Sequence, residues 1–467
     1  MKSVNSIEVV ASIVLSIVCR RDVFAWTVSP CRHHHRELSK SKTQLQSASS
    51  PLSTEDVKET SSVAPRASIS PLSHTLEELG VELGGKGRAQ ACYDCLRLGV
   101  DPLWYFESTE GSEIEDDHAL GSGWNRQQIQ EQLSGRRQEH GLGSKALKLF
   151  RDRFGGSIED QVASLSKVSV SSDGTTKLLL KLHADGLEVE TVIIPWSDRG
   201  RSTLCISSQI GCQQACTFCM TGRMGKLRNL STDEILAQLY WANKACRIRG
   251  IYPCKGIVFM GMGEPADNAK NVVKSAKILV DPNLFQLAPR QVTISTVAPS
   301  PEVFEELGES SVVLAWSVHA SKDDLRKELV PTTKHTMSEL RSGLISTLQK
   351  RSKRLRNTML ELTLLDQLND TEEDAQHLVE FCQPLLKEVD GIKLVVNLIP
   401  WNDIDASFGP ASNYRKPSME RVLAYQKVLV ENGILCYVRT TRGDDENAAC
   451  GMLATKKKRK ELDDRQR

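Results

Sequence analysis

The chain reads as an α/β protein: an open, partial (β/α)6 barrel with a small N-terminal helical domain and a β-hairpin extension. Three observations predict this. Apolar runs of strand length recur from residue 203 onward, helical patterns separate them, and the most distinctive short motifs fall just past the ends of the runs. The strand-like runs are 203–208, 256–260, 291–296, 312–318, 358–365 and 393–399. They are continuous rather than alternating, as buried parallel strands are. Helical patterns lie between them at 232–249, 271–280, 301–307, 338–350 and 372–387. Six βα units are fewer than the eight that close a full barrel, so the sheet is expected to stay open. A last strand at 434–439 ends the core, which is assigned to 186–455.

The rest of the chain surrounds that core. At 467 residues there is room for two or three domains. A net charge of +1 excludes a polycation, so any nucleic-acid surface has to be a local patch. Thirteen scattered cysteines, an odd number, do not suggest a secreted disulfide framework. Residues 1–53 read as a targeting leader. The apolar run 9–19 is too short to span a bilayer, and Arg20, Arg21 and a Ser- and base-rich, acid-poor stretch follow it. The His33–His35 run within it is read as solvated. Residues 54–74, with Pro65, Pro71 and many serines, read as linker. An accessory helical domain is assigned to 75–185, with Cys92 and Cys95 as ordinary helix-face residues. Its polar, acidic stretch 107–143 is expected to be a mobile loop. Helix resumes at 144–154, and runs at 177–183 and 187–195 predict a hairpin closing over the core. The charge run 456–467 reads as a disordered tail.

The stretch 203–225, TLCISSQIGCQQACTFCMTGRMG, carries the chemistry. Cys212, Cys216 and Cys219 stand in the spacing C-x3-C-x2-C, with Cys205 seven residues upstream of the first. Three thiolates on one loop can grip three irons of a cubane cluster and leave the fourth iron open to a substrate. Zinc is the weaker reading, because a structural site wants four closed ligands and no second pair follows. Buried core cysteines are a poor reading too, since Gly211, Gly222 and Gly225 mark a loop. Downstream, Gly263 and Glu264 follow a strand run in GMGEP, where glycine lets backbone approach a ligand and the carboxylate can accept from an ammonium.

The cysteine motif, with Phe218 before its last cysteine, resembles the signature of the radical S-adenosylmethionine superfamily. The flanks, LCISSQIGC, CTFCMTG and RNL, resemble the RlmN/Cfr family of RNA adenine methyltransferases. The resemblance runs from about residue 187 to 453 and more faintly over 76–170, where 107–143 stands out as an insertion. It implies a 4Fe-4S cluster on Cys212, Cys216 and Cys219, and two S-adenosyl-L-methionine molecules per turnover. Gly263, Glu264, Ser295, Ser317, Val318, His319 and Asn402 match the family's cofactor-binding positions. Cys450, in TRGDDENAACGML, matches the cysteine that is methylated first. A second cofactor molecule then yields a radical that takes hydrogen from the S-methyl group, and the resulting carbon radical adds to adenine. Cys205 matches the cysteine that resolves the adduct by a disulfide with Cys450, and Glu190 matches the general base.

The function expected from this resemblance is formation of 2-methyladenine in large-subunit rRNA and in tRNA. The alternatives are methylation at carbon 8 by the same machinery, or a non-catalytic zinc-holding RNA-binding module. Arg223, Lys226, Arg228, residues 350–356, Arg439 and Arg442 are candidate RNA cations. A flipped-out base is expected, because C-2 of a stacked adenine is hard to reach. A ferredoxin- or flavodoxin-type electron donor, a monomeric state, no membrane partner and a plastid or other organelle complete the expectation, with the cytoplasm as the alternative.

Overall fold

The computed structural model describes residues 70–107, 114–117, 120–133, 142–406 and 409–453. The expected leader, residues 54–69 of the expected linker and the basic tail lie outside them. The N-terminal part contains α1 (Leu76–Leu83), α2 (Lys86–Arg97), α3 (Pro102–Glu107), β1 (Ile114–Asp117), β2 (Gly121–Asn125), α4 (Arg126–Leu133), α5 (Ser144–Phe154) and α6 (Ile158–Gln161). Two expectations are corrected here. Ser70–Ser73 is not linker: Leu72 is buried, and Ser70 and Ser73 bond to the carboxylate of Asp233. The stretch 107–143 is not a plain loop, because β1 pairs antiparallel with β2. Ile129 of α4 packs with Cys95, Val100 and Tyr105, an anchor of apolar side chains that the acidic composition hid. Cys92 and Cys95 are buried on α2, as expected for helix-face residues.

Strands β3 (Ala163–Val170), β4 (Thr176–Leu182), β5 (Glu188–Trp196) and β6 (Arg201–Cys205) then form an antiparallel run. The remaining elements are β7 (Gln209–Ile210), α7 (Met220–Arg223), β8 (Arg228–Asn229), α8 (Thr232–Ile248), β9 (Cys254–Phe259), α9 (Ala269–Val280), β10 (Val292–Thr296), α10 (Val303–Gly308), β11 (Val313–Ser317), α11 (Asp323–Leu329), α12 (Met337–Lys350), β12 (Asn357–Leu364), α13 (Glu372–Glu388), β13 (Lys393–Pro400), α14 (Met419–Glu431) and β14 (Leu435–Val438). One ten-stranded sheet runs in the order β14-β13-β12-β11-β10-β9-β6-β5-β4-β3. Its strands β6 and β9–β14 are mutually parallel, which is the open α/β architecture expected.

The hairpin differs from expectation. It has a third strand, β3, whose mixed sequence ASLSKVSV did not read as buried, and it prolongs the sheet through β5 and β6. Reciprocal capping boxes start α8 (Ser231 with Glu234), α12 (Thr336 with Glu339) and α13 (Thr371 with Asp374). Each cap is worth about 1 kcal/mol and turns the chain at the end of the barrel where the strands finish. That end carries the site. Among the described residues no helix is long and apolar enough to cross a membrane.

Candidate active site

The cysteine loop leaves β7 and returns at β8 through a tight fold. Gly211 has a φ of 74°, and a Cβ there would stand 1.8 Å from the carbonyl oxygen of Gly225. Thr217 N donates to Leu329 O at 3.0 Å and Cys219 N to Cys216 O at 3.1 Å, fastening the loop to the end of α11. Gln214 donates to Asp267 at 2.9 Å and accepts from the Thr332 hydroxyl at 2.6 Å. Cys212 and Cys216 are thereby buried and Cys219 half-buried, all lining one cleft of about 910 Å³. Burial raises all three thiols above their ordinary range, Cys216 to about 12. Such thiols become thiolates when a metal displaces the proton.

Strand ends build the opposite wall. Glu264 N bonds to Gln209 Oε1 at 2.8 Å, an approach possible because Gly263 carries no Cβ to strike Gln209. The Glu264 carboxylate accepts from Thr296 Oγ1 (2.5 Å), Val297 N (3.0 Å) and Ala266 N (2.9 Å). Burial nevertheless raises it to about 7. Ser295 and Ser317 face each other with hydroxyls 3.0 Å apart, and Ser295 also donates to Glu361 at 3.3 Å. His319 Nδ1 accepts from Thr363 N at 3.1 Å, so the neutral ring carries its proton on Nε2. Burial lowers its pKa well below the usual value, and the ring lies 4.5 Å from that of Phe218. Val318 is different. Its side chain is buried in the core beyond the sheet, so only its backbone can serve a ligand.

Asn402 and Cys450 also line this cleft, and both belong to a second cleft of about 600 Å³ that adds Cys205 and Arg439. Asn402 Nδ2 donates to Cys450 O at 3.0 Å and its Oδ1 accepts from Thr441 at 2.9 Å. Cys450 is exposed to the cleft and Cys205 half-buried. Burial, and then the neighbouring Cys450, raises Cys205 to about 12, while Arg439 draws it back. The structure thus brings together the three loop cysteines, Glu264, Ser295, Ser317, His319, Asn402 and Cys450, with Cys205 adjoining. Glu190 stands apart: it is buried, pairs with Lys177 at 3.2 Å, and lines neither cleft.

Several site residues escaped sequence reasoning. Glu361 is buried with its Oε1 lacking a hydrogen bond, 3.9 Å from Arg439 Nη1. A carboxylate inside the apolar run TMLELTLL was the available signal. Arg326 is fully buried and donates to the carbonyls of Ser317, Val318 and Val297, gluing the strand ends together. Its helix, DDLRKEL, carries no mark of that role. Among the candidate RNA cations, Arg228 is held by Asp185 and Glu234, and Arg442 by Asp173. Residues 350–356 precede β12 and so lie at the opposite end of the barrel from the cleft.

A model of the radical SAM superfamily matches residues 206–382. A crystal structure of a radical SAM methyltransferase from Sphaerobacter thermophilus superposes with a TM-score of 0.63 at 27% identity, over 82% of this chain and 99% of that one. A domain of a pyruvate-formate lyase-activating enzyme from Bacteroides vulgatus ATCC 8482 is a remote match, with TM-score 0.31 and 14% identity over 40% of this chain and 99% of that one. The superfamily implies a 4Fe-4S cluster and S-adenosylmethionine. The residues present fit both. Three thiols share one cleft, Glu264 offers a buried carboxylate, and Glu361 aims an unbonded oxygen into the same space. Motif, strand-end constellation and fold agree with the match of residues 206–382 to the radical SAM superfamily.

Proposed function

We propose that the chain is an RNA methyltransferase of the RlmN/Cfr type, making 2-methyladenine in large-subunit rRNA and in tRNA. One observation carries this reading. Cys205 and Cys450 both lie outside the matched stretch 206–382, yet they line one cleft that opens into the cleft of the loop cysteines. Two thiols lining one cleft suit a methyl carrier and a partner that releases the product by a disulfide.

When bound, the cluster and S-adenosylmethionine supply a methyl group and one-electron carbon chemistry. The chain supplies the rest. Cys212, Cys216 and Cys219 hold the cluster. Glu264 accepts from the methionyl ammonium, Ser295 and Ser317 offer hydroxyls, and His319 donates through Nε2. Asn402 holds the Cys450 carbonyl and so relates the cofactor's place to that of the thiol. Cys450 carries the methyl group, and Cys205 releases the product by a disulfide with Cys450. Glu190, paired with Lys177 outside both clefts, is the family-matched general base in this reading. A flipped adenine, a flavodoxin- or ferredoxin-type reductant and an organellar location belong to the same proposal. Carbon 8 as the target remains the second reading.

The two cysteines should fail differently. Cys450→Ala should give no product and no adduct. Cys205→Ala should accumulate protein covalently bound to RNA, because blocking the second step of covalent catalysis exposes the first. Gel migration before and after nuclease, with mass spectrometry of the digested RNA, reads both outcomes. A Cys205→Ala enzyme that turns over normally overturns the proposal.

A further inference from the structure

The motif Arg442-Gly443-Asp444-Asp445 precedes Cys450 and, Arg442 as a candidate RNA cation aside, supplies none of the groups assigned above. Its partners lie about 270 residues away in the chain, in the turn 171–175 between β3 and β4. That turn is shaped to receive it. Thr175 N donates to Asp173 Oδ1 at 2.8 Å, which leaves Oδ2 facing outward. Asp173 Oδ2 then takes Gly443 N at 3.2 Å and Arg442 Nε at 3.1 Å. Ser171 donates its hydroxyl to Asp445 Oδ1, and Ser172 N donates to Asp445 Oδ2 at 2.9 Å. Arg442 also donates to Pro195 O at 2.8 Å, with its guanidinium 5.3 Å from the ring of Trp196.

The fit is close as well as polar. Gly443 has a φ of 72°, and a Cβ there would stand 2.8 Å from Thr175 Cγ2 and 2.9 Å from the Ala448 methyl. Burial works against the Asp173 carboxylate, but the Thr175 and Gly443 N–H bonds and the positive charge of Arg442 still hold it below its ordinary range. Beyond the motif, Ala448 and Ala449 are buried and Cys450 emerges into the cleft.

We propose that the β3–β4 turn is a dock for the 442–445 segment and sets where the Cys450 thiol stands in the cleft. Ser171 and Asp173 are positioning residues, not catalytic ones. The β3–β4 pair thus serves the site from outside the clefts, because its turn holds the 442–445 end of the thiol's loop. The functional consequence rests on Cys450 being the methyl carrier, but the dock itself does not.

The test therefore reads the thiol directly, on the full-length protein. Cys450 alkylation by iodoacetamide is followed by peptide mass spectrometry, with hydrogen exchange of 440–453 and of β12–β13 alongside. Ser171→Ala with Asp173→Ala should speed Cys450 alkylation by about tenfold or more, because the bonds to charged groups that tether the 442–445 end of its loop are lost. Exchange of 440–453 should rise while β12–β13 stay protected. The exposed Asp445→Ala is the second variant, chosen because it removes the Ser171 and Ser172 contacts without touching the sheet. If both variants leave Cys450 reactivity and loop exchange at the wild-type level, the dock is refuted. In turnover assays the docking variants should lose kcat with little change in KM for RNA. A loosened thiol in an enzyme whose wild type forms no methylated RNA would uphold the dock and refute the proposed function.

Discussion

Two loops bring cysteines to one cleft, and they are built on opposite plans. The cluster loop is held largely by backbone contacts: Gly211 against Gly225, Cys219 N on Cys216 O, and Thr217 N on Leu329 O of α11, with the Gln214 side chain bonded to Asp267 and Thr332. Its first two thiols are buried. The Cys450 loop is held mainly by side chains of other segments, namely Asp173, Ser171, Asn402 and Thr221, the last donating to Leu453 O at 2.7 Å. Its thiol is exposed. Ligands of one cluster need fixed spacing, which backbone contacts enforce cheaply. A group carrier has to meet two partners, and side-chain tethers can be exchanged one at a time. The loops are joined at adjacent positions, where Met220 N donates to Gly451 O at 2.8 Å and the Thr221 hydroxyl to Leu453 O.

Breaking the rigid side should have the largest effect. Gly211→Ala forces an L side chain into a left-handed φ and onto a carbonyl oxygen 1.8 Å away, so the loop cannot close. Iron per chain should fall to a small fraction of wild type, and activity by at least about a hundredfold, since misplacement by about 1 Å can cost that much. Iron analysis and the absorbance of an anaerobic preparation check it; full iron content would mean that the backbone contacts do not set the thiols.

A smaller effect sharpens the same side. Burial raises Glu264 from 4.5 to about 7. The carboxylate that would accept an ammonium is thus complete only above that pH. S-adenosylmethionine affinity should fall as pH drops below about 7, approaching about tenfold per unit, and Glu264→Gln should bind weakly with a flat profile. Stability of the cofactor-free protein has the opposite sign. Between 4.5 and about 7 the folded state holds the extra proton, so that protein loses stability as pH rises. Calorimetric titration across about pH 5.5–8 separates the two.

The contrast also explains what the sequence disclosed. Parallel strands were legible because residues such as Val312–Leu314 and Leu394–Val396 are apolar on both faces, and the strand ends were legible because Gly263, Ser295 and His319 interrupt them. Third-strand pairing was not, since β3 buries only Ala163 and Ser169 and exposes Ser166, Lys167 and Val170. Asp173 and Arg442 were opaque for another reason: their partnership depends on the fold bringing together segments about 270 residues apart, and neither has a local pattern. Glu361 lies between these cases. Its charge inside an apolar strand pattern was visible, while its meeting with Ser295 and Arg439 needed the register of the neighbouring strands.

The smallest expected effect probes the adjustable side alone. Thr441 Oγ1 donates to Asn402 Oδ1 at 2.9 Å, and Asn402 in turn donates to Cys450 O at 3.0 Å. Thr441→Val keeps the shape and deletes the donor. One neutral hydrogen bond is worth about 1 kcal/mol, so its loss should let the Asn402 amide turn and lower kcat by roughly fivefold. Iron content and S-adenosylmethionine affinity should not move, because nothing in the cluster loop bonds to Thr441. Thr441→Ser restores the hydroxyl and should restore kcat. A loss of iron in Thr441→Val would show that the two loops are one mechanical unit, joined more strongly than the Met220–Gly451 and Thr221–Leu453 bonds alone. Unchanged kcat would place the hold on Cys450 with the β3–β4 turn instead.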